Sequence, residues 1–171
     1  MKEIVLFFTL FLHFIGNAQS VNHKAQLTTG YNRIGFYNEV SYKFGVKKHE
    51  LKFGARHYTF DNFFEKNTIG LSIDYLNKFY SKNEKLFFYP GVSFSIFKEQ
   101  KSNAKVTLTD YKVITGLGYT FYRGMSLYYQ LGFGILDTRA QLKVVDELVK
   151  INYFNYEMAI GISYRFGTAS K

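Results

Sequence analysis

Residues 153–166 read YFNYEMAIGISYRF. Their even positions are Phe154, Tyr156, Met158, Ile160, Ile162, Tyr164 and Phe166, and their odd positions are Tyr153, Asn155, Glu157, Ala159, Gly161, Ser163 and Arg165. Residues two apart share one face of a β-strand. One face is therefore large and apolar, and the other is small or charged. The run also exceeds the about 5–6 residues of an ordinary globular strand. Such a strand suits a wall that separates lipid from a narrow interior.

The same alternation recurs upstream. Residues 24–31 set Ala25, Leu27, Thr29 and Tyr31 against Gln26, Thr28 and Gly30. Residues 36–46 set Phe36, Asn38, Val40, Tyr42 and Phe44 against Tyr37, Glu39, Ser41, Lys43 and Gly45. In 50–60, Leu51, Phe53 and Ala55 oppose Lys52, Gly54 and Arg56, and His57 and Thr59 continue the apolar face. Runs at 68–80, 85–97, 105–122 and 125–138 repeat the pattern, with Asp74 and Lys112 on their small faces. Together with 153–166 these make eight strands. The connections after the second, fourth and sixth runs are short, and those after the first, third, fifth and seventh are longer. Bacterial outer-membrane barrels have short periplasmic turns and longer extracellular loops. Residues 98–104 read as a charged loop. Residues 139–150, the longest connection, read as a β-ribbon or loop in preference to a helix, although Leu142, Val145, Leu148 and Val149 could form a helical stripe. Pro90 cannot donate a ladder hydrogen bond, so a bulge or irregular strand end is expected there.

Composition agrees with this class. Aromatics make up 20% of 171 residues, all of them Phe or Tyr, which suits a barrel with aromatic girdles. Mean hydropathy is only −0.15, because alternation dilutes the apolar signal by half. The formal net charge is +9. Lys is spread through turns and loops with no dense basic run, so nucleic acid is not the expected partner. Anionic lipid headgroups would favour such a surplus. Cysteine is absent, which excludes disulfides, thiol chemistry and cysteine metal sites.

Lys2, the apolar run 4–15 and the small residues Gly16, Asn17 and Ala18 have the layout of a secretory signal peptide. That apolar run is shorter than the roughly 20 residues a spanning helix needs. Residues 1–18 are expected to be cleaved, leaving 19–171 as one barrel domain.

Two eight-stranded architectures compete, a soluble barrel with its apolar face inward and a membrane barrel with that face outward. An interior of eight strands is just wide enough for side chains to fill. Several Phe, Tyr, Leu or Ile per strand would overfill it, whereas Gly, Ser, Ala and Thr with a few charges fit. The expected fold is therefore an all-β, eight-stranded, antiparallel up-and-down transmembrane barrel. Closure follows, because an open edge in hydrocarbon leaves backbone groups unpaired.

The apolar leader, the eight runs and the final Ile162-Ser163-Tyr164-Arg165-Phe166 resemble the small eight-stranded outer-membrane β-barrel superfamily, to which the OmpA transmembrane domain and OmpX belong. Glu39-Val40-Ser41-Tyr42-Lys43-Phe44 and the Ala18-Gln19 junction resemble outer-membrane barrel proteins of Bacteroidetes. The resemblance implies location in the outer membrane of a Gram-negative cell envelope, in contact with its lipid and lipopolysaccharide. It also implies handling by periplasmic chaperones and the barrel-assembly machinery, with Phe166 as the assembly signal. The tail after Phe166 departs from the family pattern.

By parity Glu39, Lys43, Lys52, Arg56, Asp74, Lys112, Glu157 and Arg165 face inward, and charges in a narrow barrel must be paired or hydrated. A salt-bridge network that fills the lumen is the expected arrangement, with Glu157 central and Arg56 its partner. The expected role is structural or interactive, with a narrow pore as the alternative. A lipid-A-modifying enzyme needs a nucleophile beside an oriented base. Of His13, His23, His49 and His57, only His57 lies in a strand near the outer rim, and no serine follows it there. No cofactor or metal is expected, since histidines at ligand spacing are absent. Gly116-Leu117-Gly118 and Gly132-Phe133-Gly134 fall mid-strand and read as room in the lumen. An extracellular protein ligand could be met by 98–105 and 139–150, with 105–110 as a candidate exposed strand edge.

Overall fold

The computed structural model describes residues 21–61, 68–100, 104–142 and 147–166. The alternating runs become β1 (Val21–Asn32), β2 (Gly35–Val46), β3 (His49–Asp61), β4 (Thr68–Asn77), β5 (Phe79–Tyr80), β6 (Leu86–Gln100), β7 (Ala104–Tyr122), β8 (Met125–Leu142) and β9 (Glu147–Phe166). Strands β4 and β5 are two parts of one stave, broken at Lys78, and both pair with β6. The barrel thus has eight staves. All pairings are antiparallel, and the sheet closes because β1 pairs with β9 and β4 with β6. Closure pairs the backbone around the whole ring, as a lipid surround requires.

Alternation is regular. In β2, Tyr37, Glu39, Ser41 and Lys43 are buried while Val40 and Tyr42 are exposed. In β9, Asn155, Glu157, Ala159 and Ser163 are buried while Phe154, Met158, Ile160 and Ile162 are exposed. Polar groups inside and apolar groups outside are the reverse of a water-soluble domain, so the outer surface is built to meet hydrocarbon. Rings pair across neighbouring strands on that surface, as in Tyr31–Tyr156, Phe94–Tyr111 and Phe44–Phe53.

The end that carries Val21, Phe166 and the turns at 47–48, 81–85 and 123–124 is called the near end. Those turns take their reversal from positive φ at Lys47 (56°), Glu84 (55°), Arg123 (27°) and Gly124 (89°). The far end departs from the expected run of longer loops. Only Arg33 and Ile34 join β1 to β2. Asn32 makes that short link, its Oδ1 accepting from the Ile34 N–H at 2.9 Å and the Gly35 N–H at 3.3 Å. The connections at 62–67, 101–103 and 143–146 lie outside the described residues, as do 1–20 and 167–171, which hold the expected signal peptide and the tail.

Most of 98–104 and 139–150 is strand. Lys98–Thr107 and Gln100–Lys105 are register pairs, and β8 and β9 run paired to Leu142 and Glu147. The β-ribbon alternative therefore holds over the helical one at 139–142 and 147–150. Residues 98–100 and Ala104 are strand where a loop was expected. Nor does 105–110 offer a free edge, because Lys105 pairs with both Gln100 and Gln141.

Pro90 sits inside β6, paired with Thr115 without a register shift. The irregularity falls on the neighbouring stave instead. The β4 ladder stops at Leu76–Gly91 and β5 resumes at Phe79–Phe88, so the break at Lys78 lies beside Pro90. The Lys78 N–H still donates to Lys48 O at 2.7 Å, one step past the last β3–β4 register pair, His49–Asn77. A missing donor on one strand has become a gap in its partner. Register shifts occur elsewhere, at Phe36/Tyr37 and at Thr120/Tyr122.

Candidate functional site

The lumen is the site that the inward faces build. Along β6 its inward side chains run Phe87, Tyr89, Ser93, Ser95, Phe97, and along β7 they run Leu108, Asp110, Lys112, Ile114. Polar residues therefore occupy the middle, with an apolar layer at each side. The far layer is Ile34, Tyr37, Tyr58, Phe97, Leu108 and Leu136. The near layer is Leu76, Phe87, Tyr89, Ile114 and Tyr128. These aromatics are bulkier than the lumen expected from sequence. They fit because glycines stand opposite them. A Cβ on Gly118 would lie 2.1 Å from the Phe87 ring, and one on Gly161 would lie 2.1 Å from the Tyr128 hydroxyl.

Between the layers the charges form one connected network. Glu39 accepts from Lys52 Nζ at 2.8 Å, Arg56 Nε at 2.5 Å and Ser72 Oγ at 3.0 Å. Lys52 also lies 2.5 Å from Asp74. Arg56 Nη1 continues to Glu157 Oε2 at 2.8 Å. Lys112 Nζ meets the same oxygen at 2.7 Å and also contacts Asp110. Gln130 donates to Glu157 Oε1 at 2.8 Å, and Asn155 donates to Asp110 Oδ1 at 2.8 Å. Lys43 has no carboxylate partner among the described residues. Its ammonium stands 5.1 Å from the Tyr128 ring centre and 6.0 Å from that of Tyr89. Glu39, Asp74, Asp110 and Glu157 are thus paired with Lys52, Arg56 and Lys112, and Lys43 stands apart by the near-layer rings. Buried charges require such compensation.

Glu39, Lys43, Lys52, Arg56, Asp74, Lys112 and Glu157 therefore share the buried middle, and all but Lys43 enter ion pairs there. Arg165 does not join them. It is exposed at the near rim, where its N–H donates to Gly124 O at 3.0 Å, because parity sets a face and not a depth. Asp110 was legible from its parity with Lys112. A second cluster went unread: Glu50 at the near rim holds Lys24 at 2.5 Å and Lys78 at 2.9 Å. Glu50 has the parity of Lys52, and Lys78 continues the inward parity of Asp74 and Leu76 across the strand break.

The histidines point away from this network. His23, just ahead of the first expected run, lies in β1 and contacts the Tyr42 hydroxyl at 2.5 Å. His49, just ahead of the third, opens β3 and contacts the Tyr75 hydroxyl at 2.6 Å. His57 faces outward between Asn38 and Ile69. Among the described residues no group of three or more His, Cys, Asp or Glu could hold a metal ion.

No protein-family model matches the chain, and no curated protein matches it. Solved structures do match. A major outer membrane protein from Thermus thermophilus is 14% identical with a TM-score of 0.50, over 86% of this chain and 100% of that one. The N-terminal β-barrel domain of Pseudomonas aeruginosa OprF is 12% identical with a TM-score of 0.56, over 85% of this chain and 97% of that one. At such identities the likeness speaks for fold alone: this chain has the eight-stranded fold of bacterial outer-membrane β-barrels.

Proposed function

We propose that the protein is an integral β-barrel of the bacterial outer membrane, with a sealed lumen and a structural or surface-interaction role. The observation that carries this reading is the compensated charge network held between two apolar layers. Carboxylates already engaged by buried cations are poorly placed to hand ions along a path. The near end faces the periplasm, which fits its short turns. Phe166 ends the closing strand on that side and serves as the assembly signal for the chaperones and barrel-assembly machinery. The far end, with the segments 98–105 and 139–150, faces outward. No catalytic role is proposed, since His57 has Asn38 and Ile69 as strand neighbours and no serine beside it.

Recording from the purified protein in planar bilayers tests the sealed lumen. Baseline current without steady opening is the expected result, and a stable open conductance of the wild type would overturn it. One observation favours the narrow-pore alternative. The Ser41, Ser93 and Ser95 hydroxyls are buried in the polar middle with no hydrogen-bond partner among the described residues. The same recording decides between the two readings.

A further inference from the structure

The barrel wall is taller on one side. β1 ends at Asn32 and β2 begins at Gly35, while β7 to β9 continue to Ala104, Leu142 and Glu147 and β6 to Gln100 beside them. The outward face of this extension has an ordered chemistry. Phe94, Tyr111, Ile135 and Phe154 are register partners across the four strands and make one apolar row. Two residues farther out, Ile96, Thr109, Asp137 and Asn152 make a mixed row. Two residues beyond that, Lys98, Thr107, Arg139 and Lys150 make a row with three cations, and Lys105 adds a fourth beside it.

Successive rows stand about 7 Å apart along the strand, and neighbouring strands about 5 Å apart. A groove of about 810 Å³ runs over these rows, lined by Phe94, Ile96 and Tyr111 at its apolar side and by Lys98, Lys105 and Arg139 at its charged side. Among the described side chains, one carboxylate enters the patch. Asp137 accepts from Arg139 at 2.8 Å and lies 3.8 Å from Lys150. Lys98 and Lys105 have no such partner among the described residues, so the patch keeps a positive surplus. Among the described residues the opposite wall presents Tyr31, Phe36, Thr59 and Ile69 at its far end, with Arg33 in the link between β1 and β2 as its cation there.

We propose that this face binds a phosphorylated glycolipid of the outer leaflet, of the lipid A class, with acyl chains on the Phe94–Tyr111–Ile135–Phe154 row and phosphates on Lys98, Lys105, Arg139 and Lys150. An amphiphile with anionic headgroup and apolar tails matches the change from the ring row to the cation row, and the exposed Leu148 stands one row beyond the cations. Phosphate oxygens accept from ammonium and guanidinium groups in charge-assisted hydrogen bonds, and each cation near an anionic surface adds to affinity. A soluble anionic protein would find the apolar rows unmatched, and a second copy of this chain would set cation against cation. The proposal rests on the outer-membrane reading and adds one lipid class and one face to it.

Native mass spectrometry of the purified, detergent-solubilised chain tests it, with bisphosphorylated lipid A, the same lipid stripped of its phosphates, and phosphatidylglycerol as probes. The wild type is expected to retain lipid A in preference to both others. Lys98→Gln/Lys105→Gln/Arg139→Gln/Lys150→Gln is expected to lose affinity by roughly fivefold for each cation removed. Lys82→Gln/Lys85→Gln, in the near-end turn, is expected to match the wild type, and heat-modifiable gel mobility verifies that each variant is folded. Equal retention of lipid A by the quadruple variant overturns the site. Equal retention of dephosphorylated lipid A overturns the role of the phosphates, and equal retention of phosphatidylglycerol overturns the glycolipid assignment. Cell fractionation addresses the outer-membrane reading separately, so the two can fail independently.

Discussion

Arg56 Nη1 lies 2.8 Å from Glu157 Oε2, although 101 residues separate the two in the chain. β3 and β9 are not hydrogen-bonded neighbours; β1 and β2 lie between them. The contact is made across the lumen, so it exists only when the barrel has closed. Glu39 holds the other side of the same guanidinium, and the Tyr37 ring lies 4.7 Å from its centre.

Removing Glu157 strips a carboxylate from Arg56 and Lys112 and orphans the Gln130 amide. Loss of one partner from a buried pair costs about 3–5 kcal/mol. Glu157→Ala is expected to lower the temperature at which the folded gel band converts to the unfolded one. A variant as heat-resistant as the wild type would sink the network as a source of stability.

Gly118 gives way to Phe87, whose ring atoms are the three nearest to the position of a Cβ there. Gly118→Val is expected to reduce the folded yield on refolding into detergent, since overpacking costs about 1–3 kcal/mol. Phe87→Ala in the same chain is expected to recover much of that yield by vacating the space. Failure of the second change to help would show that the strain lies in the backbone.

The seam that closes the barrel sets Leu27 opposite Ile162. The protein has no native cysteine, so Leu27→Cys/Ile162→Cys introduces the only thiols. Opposed residues in an antiparallel pair lie about 4.5–5.5 Å apart. A short bifunctional thiol reagent is expected to cross-link this pair in folded protein and to leave Leu27→Cys/Met158→Cys unlinked. The reverse pattern would mean a different register at the seam.

Val40 is 66% exposed, midway along the outward face of β2 between Phe36 and Phe44. A cation placed at the bilayer midplane costs about 2–4 kcal/mol. Val40→Arg is expected to shift the urea midpoint in vesicles by a matching amount. Lys85→Arg, in the near-end turn, is expected to shift it hardly at all, and equal stability of the two variants would rule out a lipid-facing Val40.

Much of this was legible beforehand. Period two in residues 153–166 identifies the apolar face, and Glu157 on the opposite face is a lumen residue for that reason alone. The same logic places Glu39, Lys43, Lys52, Arg56, Asp74 and Lys112. It fails at Arg165, because alternation carries no information about distance from the rim. Lys78 keeps the inward parity of Asp74 and Leu76, so the same logic reaches it although the ladder breaks there. The link at Arg33 and Ile34 was misjudged for a related reason: the Asn32 carboxamide supplies the turn, and polar composition alone does not show how few residues a turn needs.

The sequence by itself determined which face of each strand meets lipid, because side-chain direction in a strand is a local property fixed by backbone geometry. It determined the number of staves in the same way. Only the tertiary structure decided which charges meet, since Arg56 and Glu157 are joined by closure and tilt, which no local pattern encodes. Pairing of the consecutive strands β6 to β9 brought Lys98, Arg139 and Lys150, from three separate strands, into one row above the apolar band. Distance along the chain says nothing about that row, because cross-strand register sets it.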